Sequence, residues 1–150
     1  MSNTKPDNKR YNTLQPYLIV RDCAAAIAFY EAAFGATERM RMQRPDGRLG
    51  HAEIQIGDTC IMMADEHPEI DAFSPDHYGG SSVSLHFFVD DCDARFQRAI
   101  AAGAKEVRAP ADQLYGDRNA GVLDPFGYKW WMAAHIHSQS NEAGRKLEAE

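Results

Sequence analysis

Two hydrophobic periodicities take turns along this chain. Between Leu49 and Ile56, the residues Ala52, Ile54 and Ile56 fall on one side of an extended backbone, and His51, Glu53 and Gln55 fall on the other. Val83, Leu85, Phe87 and Val89 alternate in the same way with Ser82, Ser84, His86 and Phe88, and Leu18 and Val20 alternate with Gln15, Tyr17 and Ile19. The period changes after Val20 and again after Val89. Cys23, Ile27, Tyr30 and Phe34 recur at helical spacing, as do Cys92, Phe96 and Ala99. Asp22 and Asp91 stand where N-caps belong, and Gly35 and Gly103 stand where a left-handed residue ends a helix. Further strands are predicted at 37–43, 49–56 and 59–64, and again at 105–109, 119–123 and 128–134, with turns at Pro45-Asp46-Gly47, Gly57-Asp58 and Asp124-Pro125-Phe126-Gly127.

The pattern is written twice. Val20-Arg21-Asp22-Cys23 returns as Val89-Asp90-Asp91-Cys92, 69 positions on, and Phe34-Gly35-Ala36 has its counterpart in Ala102-Gly103-Ala104, 68 positions on. Each copy reads β-α-β-β-β, so the fold class is α+β: two modules, 14–65 and 81–135, pairing into one cupped sheet domain over 14–135. Residues 66–80, rich in Pro, Asp, His and Gly, form the linker, and 1–13 and 138–150 read as flexible tails. A half-domain paired with its own copy creates a cleft, and ligands tend to bind in clefts. One face of each sheet is ordinary core under its helix. The other carries Tyr17, Phe88 and Trp131 among polar side chains, a combination placed here inside a cavity rather than against solvent.

Composition narrows the function classes. At 150 residues, 44% hydrophobic and 25% charged, the chain can bury a core of its own. A net charge of −6 argues against nucleic acid or an anionic membrane as partner, because both select basic surfaces. Three cysteines at no zinc-like spacing, two of them at equivalent helix starts, argue against a disulfide framework and favour a cytoplasmic setting. No apolar signal core and no segment of transmembrane length is present in the sequence.

The chain resembles the vicinal oxygen chelate superfamily, which contains glyoxalase I, extradiol dioxygenases, fosfomycin-resistance enzymes and bleomycin-resistance proteins. The carriers are Pro16-Tyr17-Leu18-Ile19-Val20-Arg21-Asp22, Ala28-Phe29-Tyr30 with Phe34-Gly35-Ala36, Gly50-His51-Ala52-Glu53, and Asp124-Pro125-Phe126-Gly127-Tyr128. Tyr115-Gly116-Asp117-Arg118 followed by Asp124-Pro125-Phe126-Gly127 resembles the subgroup named after PhnB. The resemblance implies a fold of paired β-α-β-β-β modules. Metalloenzymes of the family bind a divalent ion through side chains of the first and fourth strands of each module. Those positions fall on Gln15, Met62, Ser84 and Trp131 here. Trp and Met do not hold a hard divalent cation and Ser is a poor ligand, so no metal and no cofactor is expected.

The expected ligand is a small, partly aromatic organic molecule. Trp131 would supply the stacking surface, Tyr17, Phe88 and Met62 the apolar walls, and Gln15, Glu53, Ser84, His86 and Arg118 the orienting contacts. Arg118 has an equal claim to a structural salt bridge. His51, Glu53 and His86 have the composition of a facial triad, weighed against a plainer role as hydrogen-bonding residues on separate sheets. Glu53 or His86 could instead serve as a general base in an enzyme of lyase or dioxygenase type. Short modules with open strand edges also suggest a homodimer.

Overall fold

The computed structural model describes residues 11–136. They divide between two compact units, with the boundary at Gly79 and Gly80. In the first, β1 (Tyr17–Val20), α1 (Cys23–Phe34), β2 (Thr37–Gln43), β3 (Leu49–Ile56) and β4 (Thr59–Asp65) follow one another. Their sheet runs β1-β4-β3-β2, with β1 parallel to β4 and the other pairs antiparallel. After a 3-10 turn at Pro68–Ile70 and the single-turn α2 (Pro75–Tyr78), the second unit repeats the plan. It consists of β5 (Ser84–Phe88), α3 (Cys92–Ala102), β6 (Lys105–Asp112), β7 (Asp117–Leu123) and β8 (Lys129–His135), in the order β5-β8-β7-β6. The expected α+β class and the two β-α-β-β-β modules are thus observed.

Each helix begins and ends for a local reason. The Asp22 carboxylate accepts from the Ala25 N–H at 3.0 Å, and the Asp91 carboxylate accepts from the Ala94 N–H at 3.0 Å. Gly35 (φ 68°) and Gly103 (φ 119°) close the helices in the left-handed region, where a Cβ would be strained. On the sheet side of α1, Cys23, Ile27, Tyr30 and Phe34 are buried with Leu18, Val20, Ala52, Ile54 and Met63. On the sheet side of α3, Cys92, Phe96 and Ala99 are buried with Ala120, Val122, Trp130 and Met132. Trp130, which alternates with Trp131 along β8, is core.

Several strand limits differ from expectation. β1 begins at Tyr17 rather than Leu14, because Pro16 has no N–H for the ladder and Gln15 turns its side-chain amide to the Asn12 carbonyl. Val83 lies outside β5 and is exposed rather than core, since the Ser81 hydroxyl takes its N–H and bonds back to its carbonyl. β6 continues past Pro110 to Asp112. It can do so because it is an edge strand with a register shift between Arg108 and Ala111. The expected tails fall largely outside the described residues, but Tyr11 and Asn12 are tied down: Tyr11 bonds Glu53, and Asn12 bonds the Asp58 carbonyl at 3.2 Å.

Candidate functional site

Strand register lays one cross-strand row over the helix-free face of each sheet. In the first unit, Tyr17 on β1 pairs with Met62 on β4, Met62 with Glu53 on β3, and Glu53 with Met40 on β2. In the second, His86 on β5 pairs with Trp131 on β8, Trp131 with Gly121 on β7, and Gly121 with Arg108 on β6. The 69-residue repeat maps Tyr17 onto His86 and Met62 onto Trp131. The two rows therefore answer each other position by position, with different chemistry.

Glu53 anchors the first row. It is 3% exposed, and its carboxylate accepts from the Tyr11 hydroxyl at 3.0 and 3.1 Å, from His51 Nε2 at 2.9 Å and from the Cys60 thiol at 3.7 Å. Burial pushes its pKa upward, but the bonds from His51 and Tyr11, helped by the charge of Arg39, outweigh this and hold it below the usual carboxylate value. The other nitrogen of His51, Nδ1, lies 2.8 Å from the Tyr17 hydroxyl. Tyr17 is half exposed, and its phenol is held above the ordinary value by burial and then by the nearby Cys23 and Glu53. The result is a line from solvent to a buried carboxylate: Tyr17, His51, Glu53, Tyr11.

The second row is organised around an indole. Trp131 lies flat enough over Gly121 that a Cβ built there would stand 2.7 Å from Cε3 and 2.9 Å from Cη2, and closer still to Cζ3. The Arg108 guanidinium sits 4.9 Å from the Trp131 ring centroid, a cation–π distance, and is also bonded to Asn119, whose amide reaches the Tyr115 hydroxyl. His86 is exposed and packs edge-on to Phe88, with ring centroids 5.1 Å apart, and Phe88 is 74% exposed. Gly121 and Arg108 were not legible as site residues, because only the register of β6, β7 and β8 brings them beside Trp131, and Asn119 and Tyr115 enter through their bonds behind Arg108. Met40 was hidden for the same reason on β2, and Tyr11 because it reaches Glu53 from ahead of β1.

Gln15 precedes β1 and is engaged locally. Ser84 is exposed opposite Lys129 at the start of β5. Arg118 takes its salt-bridge alternative: Nε and one terminal nitrogen grip the two Asp93 oxygens at 2.7 and 3.0 Å, while the other reaches Asp112 at 2.9 Å. His51 and Glu53 do meet, whereas His86 belongs to the other unit. Among the described residues no cluster of three or more His, Cys, Asp or Glu has metal-binding geometry. The three cysteines are free and buried. Burial pushes the Cys23 thiol up to about 12, so its place at a helix start does not activate it.

A cavity of about 550 Å³ opens elsewhere in the first unit, at the N-terminal end of α1, lined by Arg21, Asp22, Arg41, Arg48, Leu49 and Asp65. Several of its charges are already engaged. Asp65 accepts the Cys23 and Leu49 N–H groups at 2.7 and 2.6 Å, and Arg41 is bonded to Glu38. It is a different place from the aromatic rows.

Comparison with known proteins agrees with the topology. The model of the Glyoxalase/Bleomycin resistance protein/Dioxygenase superfamily matches residues 11–132. The chain belongs to this superfamily. An uncharacterised protein of Mycobacterium bovis is 46% identical over 126 residues, covering 82% of this chain and 83% of its own. A solved gene product of Arabidopsis thaliana superposes with a TM-score of 0.66 at 25% identity, over 82% of this chain and 98% of its own. A Bacillus cereus structure described as a PhnB protein has the same fold, with a TM-score of 0.62 at 13% identity, over 82% of this chain and 99% of its own. No described helix is long and apolar enough to cross a membrane.

Proposed function

We propose that this chain is a metal-independent small-molecule-binding member of the glyoxalase/bleomycin-resistance superfamily, of PhnB-like type, whose helix-free sheet faces receive a small, partly aromatic ligand. The observation that carries this reading is the identity of the repeat-related residues Met62 and Trp131, each paired within its own row to Tyr17 and His86, at positions where the family resemblance puts metal ligands. A thioether and an indole do not suit a hard divalent ion. Nor do Ser84, exposed at a strand start, or Gln15, turned to a local carbonyl, complete such a donor set. The same two residues are good surfaces for a planar ring, one adaptable and one rigid. Exposed Tyr17 and Phe88 extend the apolar area. We further propose a cytoplasmic homodimer, as short sheets with edge strands suggest.

Elemental analysis of protein purified without chelator, paired with a thermal-shift screen of aromatic and heteroaromatic compounds, tests the reading. A ligand that binds the folded state alone raises the melting temperature by mass action. The expected result is no stoichiometric transition metal and at least one aromatic ligand whose effect is lost in Trp131→Ala. One tightly held ion per chain, or a screen without any binder, overturns it. A second reading, an enzyme using a His/Glu base, is favoured by one observation: the 2.9 Å contact of His51 with Glu53.

A further inference from the structure

The bonding along Tyr17, His51 and Glu53 is directional. An ionised carboxylate only accepts hydrogen bonds, so His51 Nε2, 2.9 Å away, carries the proton it shares with Glu53. In the neutral ring that leaves a lone pair on Nδ1, and Tyr17, 2.8 Å away, must donate its hydroxyl proton there. The Tyr17 oxygen then presents only lone pairs to the open side of the sheet. Whatever docks against this half-exposed phenol has to bring a donor of its own. The flanking pairs, Met62 beside Tyr17 and Met40 beside Glu53, offer thioethers for an apolar ring.

We propose that Tyr17, His51 and Glu53 form a proton relay, and that the Tyr17 oxygen takes the proton of a weakly acidic hydroxyl, phenolic or enolic, on the bound ligand. The ligand O–H bond breaks and its proton joins the Tyr17 oxygen. The proton that Tyr17 held moves to His51 Nδ1, and the ligand is left as a phenolate or enolate. No electron is transferred. His51 becomes an imidazolium against the Glu53 carboxylate, with both ring nitrogens donating. Tyr17 stays neutral throughout, as a phenol disfavoured as an anion by burial and by Glu53 must. Tyr17 is the catalytic residue of this step, and His51 and Glu53 act through it as positioning residues. The other groups facing the relay are fixed: Tyr11 on the carboxylate, Cys60 from β4 and Arg39 from β2, whose guanidinium lies 5.0 Å from the Tyr11 ring centroid and bonds Gln55 at 3.0 Å.

This inference rests on the sheet face being a ligand surface, and p-nitrophenol tests it separately, because the phenol and its phenolate absorb at different wavelengths. The full-length protein is titrated with the probe across the probe's own ionisation range. The expected result is a bound phenolate-to-phenol ratio raised by roughly tenfold or more, equivalent to one pKa unit. Tyr17→Phe and His51→Gln should still bind the probe, more weakly where the phenolate dominates because the tenfold preference for it is lost, and should return that ratio to its solution value. Should His51→Gln fail to fold, Tyr17→Phe, changed only at a half-exposed hydroxyl, decides alone. A bound probe that ionises as in solution, or a shift that survives Tyr17→Phe, overturns the relay. Loss of all binding in Tyr17→Phe while His51→Gln still binds and still shifts the probe overturns it too, since Tyr17 would then be a docking contact alone. If the probe does not bind at millimolar concentration while the screen yields other aromatic ligands, the acidic-hydroxyl class is refuted and the binding reading stands.

Discussion

Gly121→Ala separates two effects that usually come mixed. Gly121 is not in the left-handed region, so a methyl group there brings no backbone strain. In an extended strand it should even help, by about 0.5–1 kcal/mol, through the smaller entropy that alanine loses on folding. Against that gain stands the Trp131 indole, with Cε3 and Cη2 at 2.7 and 2.9 Å from the new carbon, well inside van der Waals contact. Overpacking of this kind costs about 1–3 kcal/mol when the neighbour must leave its rotamer. The cation–π contact with Arg108 at 4.9 Å would go with it, worth about 0.5–1 kcal/mol at an exposed site. The balance is a net loss of about 1–3 kcal/mol, or roughly 2–4 °C of melting temperature for each kcal/mol. Urea unfolding gives the magnitude. Intrinsic fluorescence identifies the cause, since the displaced indole becomes more exposed and its emission moves to the red. Gly103→Ala is the matched control, with open space around the new Cβ but φ 119°, so it should destabilise without moving any tryptophan emission. A Gly121→Ala variant as stable as the parent, or more so, with unchanged emission, would refute the stacked arrangement of Trp131.

Other outcomes follow from the buried polar groups. Asp124→Ala should cost about 2–5 kcal/mol by urea denaturation, because it strips acceptors from the Trp130 indole N–H at 2.8 Å and from the Phe126 and Tyr128 N–H groups at 2.8 and 3.0 Å. Glu53 has a folded pKa below its unfolded value. Its contribution to stability is therefore complete above the ordinary glutamate range and is lost as pH falls through that range towards the folded value. Unfolding of wild type and Glu53→Gln from neutral to acid pH should show the wild-type advantage shrinking, and a constant difference would contradict the assignment. The three thiols should resist a disulfide reagent in native buffer and react together on unfolding, since burial raises all three pKa values. One fast-reacting thiol in the native state would contradict their burial.

Most of the fold was legible because it rests on local rules applied twice. The caps at Asp22 and Asp91, the left-handed glycines at 35 and 103, and the alternation that buries Ala52 and Ile54 each need only a few neighbouring residues. The candidate site was less legible, because it depends on which strands lie side by side. Alternation assigned Tyr17, His51 and Glu53 to the face away from the helix. It did not show that Tyr11, from a presumed tail, would reach the same carboxylate. Arg118 could be read two ways until Asp93, 25 residues earlier, was seen to hold it in a bidentate grip. Val83 leaves the strand and the core because a serine two positions before it competes for its backbone N–H. Gly121 gave no sign in the sequence at all, being one glycine among 11, and only the ring above it explains it.

The answering rows also constrain the order in which the two halves could have diverged. Where the first half keeps a medium-sized Met62 beside Glu53, the second has a large Trp131 beside Gly121, so bulk removed from one strand is matched by bulk added on its neighbour. Starting from a pair like the first, tryptophan settles flat at 131 only once position 121 has shed its side chain, and with the tryptophan in place any side chain returned to 121 costs stability, alanine already by about 1–3 kcal/mol. The pair moves only in sequence, each step setting what the next allows. An attempt to graft the first row onto the second should therefore make Trp131→Met before Gly121→Glu, because the reverse order passes through a protein whose indole has been driven off its stacking position.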